Sequence, residues 1–246
     1  MRKIFLIALA LVAGITVSAQ IDSTAPAPAP AKKKKDWTKV DLSTRAADHF
    51  MLQFGWAGWQ STPDSVNVSG FNRTTNIYLL FDFPFKSNPH ISVGVGLGLG
   101  TDNIFFERTR IDIINNLQVK FIPDTVTKYK KYKMNTSYLE VPLELRFSSN
   151  PENMNSGFKF AIGGKVGLLM DSKVKAKVEQ DINGNTSYTT KEKSKRFFNG
   201  SRLAATARIG YGNFSIFGSY TITDFFKQGQ GPAVKPYSIG LTVSGL

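Results

Sequence analysis

The chain has no cysteine. That absence excludes a disulfide framework and any thiolate metal site. Histidine is almost as scarce, with only His49 and His90 present. No Ser/His/Asp arrangement can be assembled from them, and no His/Asp/Glu cluster has metal-ligand spacing. The expectation is a chain with no catalytic, cofactor-binding or metal-binding residues, and not an enzyme. Acidic residues are outnumbered, 18 Asp and Glu against 31 Lys and Arg, for a net charge of +13. Long apolar runs are missing after residue 20, so no later segment can form a transmembrane helix of about 20 residues.

One short apolar run does exist, at the start. Met1–Gln20 reads MRKIFLIALALVAGITVSAQ. Arg2 and Lys3 precede an apolar stretch of about 14 residues, and Val17-Ser18-Ala19 ends it with small side chains. Residues 1–19 are therefore expected to be a cleaved secretory signal peptide. The alternative, an uncleaved anchor, would need a longer run. No cysteine follows the site, so a lipoprotein is excluded. The mature net charge is then +11, since Arg2 and Lys3 leave. Basic charge of this size suits nucleic acid in general, but an exported chain points instead to anionic lipid or lipopolysaccharide, or to solvated lysines alone.

Residues 20–47 carry Ala25–Ala31, an alternating Ala-Pro run, followed by Lys32–Lys35. Alternating proline favours an extended chain, and adjacent lysines repel each other. This segment reads as a disordered linker, expected on the periplasmic side.

From residue 48 the pattern changes to period two. Ile91–Gly100 reads ISVGVGLGLG, with branched apolar residues at every odd position and Gly or Ser at every even one. Neighbouring side chains of a strand point to opposite faces, so one face is apolar and the other nearly bare. Similar alternation marks about Phe50–Gln60, Thr74–Phe83, Thr136–Phe147, Gly157–Met170, Arg202–Tyr211, Asn213–Ile222 and Pro236–Ser244. With Ile91 to about Phe105 that makes eight strands. The connections alternate in length. Pro84–Pro89, Ser148–Ser156 and Gly212-Asn213 are short, and 102–135, 171–201 and 223–235 are long. Even strand counts with short turns at one end and long loops at the other belong to membrane barrels. The expected fold is all-β, an eight-stranded antiparallel up-and-down transmembrane β-barrel over residues 48–246. A soluble lipocalin-like barrel would instead turn its apolar face inward.

The charges assign the faces. Asp82, Glu140, Glu144, Arg146, Lys159, Lys165, Arg202 and Arg208 all fall opposite the apolar stripes. Arg or Lys facing lipid at mid-membrane costs about 2–4 kcal/mol. These eight are expected to face the lumen, with Glu140 or Glu144 pairing with Lys165 or Arg208. Gly94, Gly96 and Gly98 then leave room for the long side chains. An eight-stranded interior is just filled by side chains, so a structural charge network is expected in preference to an ion path.

Aromatic residues cluster at both strand ends. Phe83, Phe147, Phe158, Tyr211 and Phe214 flank the short turns, and Trp56, Trp59, Phe105 and Phe106 lie near the long loops. Two interfacial girdles are expected. Asn183-Gly184 is a strong hairpin signal, so the strands on either side of it should extend beyond the membrane as a polar hairpin. Its lysines, Lys173, Lys175, Lys177, Lys191, Lys193 and Lys195, form a candidate surface for lipopolysaccharide or a protein partner. Tyr129–Lys133 (YKKYK) is a second basic, aromatic patch.

Pro142 lies within the fourth strand and removes a ladder donor, so a bulge or unpaired site is expected there. The segment around it, YLEVPLELRF (Tyr138–Phe147), resembles the PorT-like outer-membrane β-barrel family. The SIGLTV ending at Ser238–Val243 is similar too. The resemblance spans about Asp48 to Leu246. It implies an outer-membrane barrel, and the family's namesake takes part in type IX protein secretion. Three functional expectations follow: a structural or interaction component of the bacterial envelope, an accessory of a secretion or assembly machine, or a narrow channel or hydrophobic-ligand transporter. Envelope or secretion proteins are candidate partners; nucleic acid is not.

Overall fold

Strict period-two alternation produces a sheet that bends back onto itself. The computed structural model describes residues 45, 48–63, 66–114, 116–180, 184 and 187–245. The expected signal peptide, the linker apart from Arg45, and most of Asp181–Asn185 lie outside the described residues. The strands are β1 (Phe50–Gln60), β2 (Arg73–Pro84), β3 (Ile91–Phe105), β4 (Thr109–Asp112), β5 (Lys120–Pro123) and β6 (Lys128–Ser148), then β7 (Phe158–Gln180), β8 (Thr189–Lys193), β9 (Ser201–Tyr211), β10 (Phe214–Thr221) and β11 (Lys235–Ser244). Among the described residues there is no helix.

Eight of these strands close a ring in the order β1, β2, β3, β6, β7, β9, β10, β11, each antiparallel to its neighbours. Closure is made by β1 and β11, in register from Met51↔Ser244 to Gln60↔Lys235. No ring strand is left with an open edge, as a lipid environment requires. The remaining three strands belong to the long loops. β4 and β5 form a separate hairpin, and β8 adds to β7 outside the ring.

The outer surface is apolar. Leu79, Phe81, Leu97, Leu99, Leu143, Ile162, Val166, Leu168, Ile216 and Leu241 are all exposed on it. Exposure of so many large apolar side chains suits a hydrocarbon surround and excludes the lipocalin-like arrangement.

Several bounds differ from the sequence reading. β6 begins at Lys128, so Tyr129–Lys133 is strand and not loop. β7 runs to Gln180 and β8 returns beside it, from Lys173↔Lys193 to Lys177↔Thr189. Gly184 has φ +80°, as the Asn-Gly turn requires. The return arm is a strand of its own, because Ser194–Gly200 breaks before β9 begins. Pro142 faces β3 at a gap in that ladder. Pairing runs through Val95↔Leu143 and resumes at Gly98↔Glu140, while the other edge pairs Pro142 with Lys165. The missing N–H therefore falls where no ladder bond is made.

The glycine run of β3 is used in two ways. A Cβ at Gly94 would overlap the Arg146 guanidinium. A Cβ at Gly96 or Gly98 would instead overlap Leu80 or Tyr78 and the β2 backbone, so these two glycines admit close strand approach and not charged side chains. Gly94→Val is accordingly expected to displace Arg146 and lower stability by about 1–3 kcal/mol. Urea titration of the heat-modifiable gel band measures it, and a wild-type midpoint would reject the packing argument.

Candidate functional site

The lumen is built from inward positions of β2, β3, β6, β7 and β9, joined by the segment that precedes β1. Alternation alone puts Glu140, Glu144 and Arg146 on one face of β6, and Lys159 and Lys165 on one face of β7. It does the same for Arg202 and Arg208 on β9. All of these are buried. The eight lumen residues expected from sequence do meet, in two clusters.

The first cluster lies toward the short turns. Glu144 Oε2 accepts from Arg146 Nε at 2.9 Å and from Arg208 Nη2 at 3.0 Å. Arg208 Nη1 continues to Asp48 Oδ2 at 2.8 Å, and Lys159 Nζ reaches Asp48 Oδ1 at 2.7 Å. Asp82 accepts from Ser92 Oγ at 2.7 Å and pairs with Arg146 at 3.4 Å. It also pairs with Arg45. Arg45 donates further to the carbonyls of Pro89 and Pro151, at 3.2 and 3.1 Å. Thus Arg45, which the sequence reading assigned to the linker, stands in the mouth of the barrel.

The second cluster lies toward the long loops. Glu140 accepts from Arg202 Nε at 2.7 Å, from Lys165 Nζ at 3.2 Å and from the Tyr78 hydroxyl. Arg202 Nη1 also donates to Asp102 Oδ2 at 2.7 Å, and its guanidinium lies 4.0 Å over the Tyr138 ring. Of the pairings expected from sequence, Glu140 with Lys165 and Glu144 with Arg208 form. Asp48, Asp102 and Arg45 are additions to the expected set, and Tyr78, inward by the alternation of its strand, joins it through its hydroxyl. Asp102 and Tyr78 stand at inward positions of their strands, so face parity was the available signal for them. Arg45 and Asp48 precede β1, where no periodicity exists to read.

Every carboxylate named in the two clusters has at least one cationic partner, as burial demands. Two cavities between these groups are small. The one under the long loops measures about 20 Å³ and the one lower down about 10 Å³. Each has room for about one water.

A second core closes the long-loop end. Trp59, Phe106, Phe197, Phe198, Phe225 and Phe226 are buried together with Ile111 and Ile113. Trp59 lies 5.1 Å from Phe225 and 5.5 Å from Phe106, ring to ring. Tyr132 ties the β4 hairpin in: its hydroxyl accepts from Ile111 N at 2.8 Å. Trp59 and Phe106, expected in a girdle, therefore point inward. Each is one residue out of phase with its strand's outward set, which holds Trp56 and Phe105. The girdle at the short-turn end stands as expected, with Phe83, Phe147, Phe158, Tyr211 and Phe214 exposed.

The loop lysines occupy the outside wall. On the lower part of β7, even residues such as Leu168 face outward. One residue extra to the pairing, at Met170, breaks this phase: Tyr138 pairs with Leu169 but Ser137 pairs with Asp171. Beyond that bulge the odd residues face outward. Val174 and Ala176 belong to the loop core, Val178 is buried, and Lys175 and Lys177 are exposed. Lys133 stands opposite Lys175, which stands opposite Lys191; Lys131 stands opposite Lys177. A groove of about 510 Å³ is lined by Lys130, Lys131, Lys133, Lys175, Lys177 and Thr189. Asp171 holds Lys173 at 3.1 Å and Lys193 at 2.9 Å. Arg73, Lys131 and Lys133 surround the Phe105 ring at 5.3–5.8 Å. Partial burial, with Lys131, Arg73, Lys175 and Lys173 nearby, lowers the Lys133 pKa. Lys195 lies past the end of β8, exposed, and does not line the groove.

A closed eight-stranded ring with an apolar exterior and an ion-paired interior is an outer-membrane architecture. The family described as outer membrane protein beta-barrel domain matches residues 45–227. The chain belongs to that family. As a member of the outer membrane protein beta-barrel domain family it is a barrel protein of the bacterial outer membrane, and the match begins at Arg45, the residue that enters the lumen. Among solved structures, the chain is similar to Ail, the attachment invasion locus protein of Yersinia pestis, crystallised in complex with the heparin analogue sucrose octasulfate. The two share 17% identity over 79% of this chain and 95% of Ail, with a TM-score of 0.33. No curated protein matches the chain.

Proposed function

We propose that the protein is a non-enzymatic structural and interaction component of the outer membrane, and that it conducts no ions. One observation carries this reading: both lumen clusters are fully ion-paired within a ring whose loop end is capped by packed aromatic side chains. A conducting path would need continuous water, whereas the lumen cavities accommodate about one water each. The absence of cysteine and the placement of both histidines against backbone carbonyls, His49 near Leu80 O at 3.1 Å and His90 near Ser148 O at 2.8 Å, also favour a non-catalytic role. In bacterial barrels the short turns are periplasmic and the long loops extracellular. On that rule the short-turn end, with the Pro/Lys-rich segment that precedes β1, is periplasmic, and the cap and basic wall face outward. Planar-bilayer recording tests the reading. The expected result is no stable conductance at any applied voltage, and steady open-channel steps would reject it.

A second reading, an accessory of a type IX-like secretion machine, draws on the resemblance of Tyr138–Phe147 to the PorT-like family. Within that segment Tyr138, Glu140, Glu144 and Arg146 serve the lumen, and the alternate residues meet lipid. The motif therefore supports barrel construction more than docking to a machine. Comparing secreted proteins before and after deletion separates the two readings, and unchanged export rejects the secretion role.

A further inference from the structure

We infer that the outer face of β6, β7 and β8 binds the phosphate groups of outer-leaflet glycolipid headgroups. This rests on the proposed placement of the long loops outside the cell. On β6 and β7 the face continues the lipid-facing stripe. Its last apolar residue on β7 is Met170, which is exposed. At about 3.3 Å per residue, Lys173 lies about 10 Å further along the strand and Lys177 about 23 Å. Barrel strands tilt by about 40°, so the lysines stand some 8–18 Å above the hydrocarbon edge. That is the depth of headgroups, and the side chains point sideways into it.

The pairing pattern argues for a bound anion. Like charges directly opposite on a sheet are destabilising. Here Lys133, Lys175 and Lys191 form one row across three strands, and Lys131 and Lys177 form the next. Among the described residues of this face, the carboxylate that pairs with its lysines is Asp171, which is already shared by Lys173 and Lys193. The groove of about 510 Å³ between these rows is large enough for a phosphorylated sugar. Merely solvated lysines need no such concavity and no bulge to aim them. The Met170 bulge turns Lys173, Lys175 and Lys177 away from the interior, where unbroken alternation would have put them. A lipid headgroup fits better than a soluble polyanion, because the face lies on the wall of the barrel and is continuous with the apolar belt.

The test uses the full-length protein in neutral detergent, with lipid binding read by native mass spectrometry. The probes are phosphorylated lipid A and the same lipid with its phosphates removed. The wild type is expected to prefer the phosphorylated form by about tenfold or more. Lys133→Gln, Lys175→Gln and Lys177→Gln together should abolish that preference. A charge-matched control, Lys86→Gln, Lys120→Gln and Lys227→Gln, should stay within about twofold of wild type. All three positions are exposed and none lines the groove. Heat-modifiable migration verifies that each variant is folded. Equal binding of the two lipids, or equal loss in the two triple variants, would overturn the inference. So would a soluble sulfated polysaccharide that competes at these lysines while lipid A does not bind. An inserted, non-conducting barrel without phosphate preference defeats this inference alone, whereas failure to insert defeats the functional reading beneath it.

Discussion

Replacing Glu140 with glutamine is expected to destabilise the barrel by about 3–5 kcal/mol. Its carboxylate is fully buried and is shared by Arg202, Lys165 and the Tyr78 hydroxyl. Glutamine keeps the shape and removes the charge. Lys165 then stands in the lumen with no carboxylate, and breaking a buried pair from one side carries a cost of this size. Arg202 fares better, because Asp102 remains 2.7 Å away. The balance can be restored from the other side. Lys165→Met added to Glu140→Gln removes the stranded cation and should recover more than half of the loss. Urea unfolding in lipid vesicles, followed by heat-modifiable migration, measures both variants. A single variant within about 1 kcal/mol of wild type would refute the ion-paired lumen, and so would a double variant no better than the single one.

The second large effect is on the outside. Leu97 lies on β3, 53% exposed on the lipid-facing stripe. Leu97→Arg puts a guanidinium into hydrocarbon and should cost about 2–4 kcal/mol near mid-membrane. Leu97→Ala at the same site opens no internal cavity, because the side chain packs against lipid and not protein. Its cost should stay well below the 2–5 kcal/mol of a buried Leu→Ala. Inserted fraction in vesicles, assayed by gel migration, separates the two. Equal effects of the two substitutions would contradict the face assignment.

Much of this was legible in the sequence, and the reason is simple. On β6, Glu140, Glu144 and Arg146 keep strict phase with the apolar Leu139, Val141, Leu143, Leu145 and Phe147, so counting by twos separates lumen from lipid. The same holds for Arg202 and Arg208 on β9. What was lost depends on places where counting fails. The bulge at Met170 adds one residue to β7, and nothing in the local composition announces it. The lysines are recognisable in sequence as a basic group, but the wall they share with Lys131 and Lys133 is hidden, because the apolar alternation of β6 starts near Thr136 whereas the strand begins at Lys128. Trp59 and Phe106 resemble interfacial aromatics by type and position, but their parity points inward, toward the cap. Arg45 and Asp48 precede the first strand, where no alternation exists, so their capture by Asp82, Lys159 and Arg208 is a tertiary fact alone.

The cysteine-free chain makes the central claim directly measurable. Single cysteines can be placed at neighbouring positions, Ala161 and Ile162 on β7, Phe217 and Ile216 on β10, and Thr242 and Leu241 on β11. The first of each pair is buried and the second exposed. Each is labelled with a fluorophore in the reconstituted protein and challenged with lipids carrying a quencher in the acyl chain. A closed transmembrane barrel predicts strong quenching at Ile162, Ile216 and Leu241 and little at Ala161, Phe217 and Thr242. Equal or inverted quenching within the pairs would contradict it.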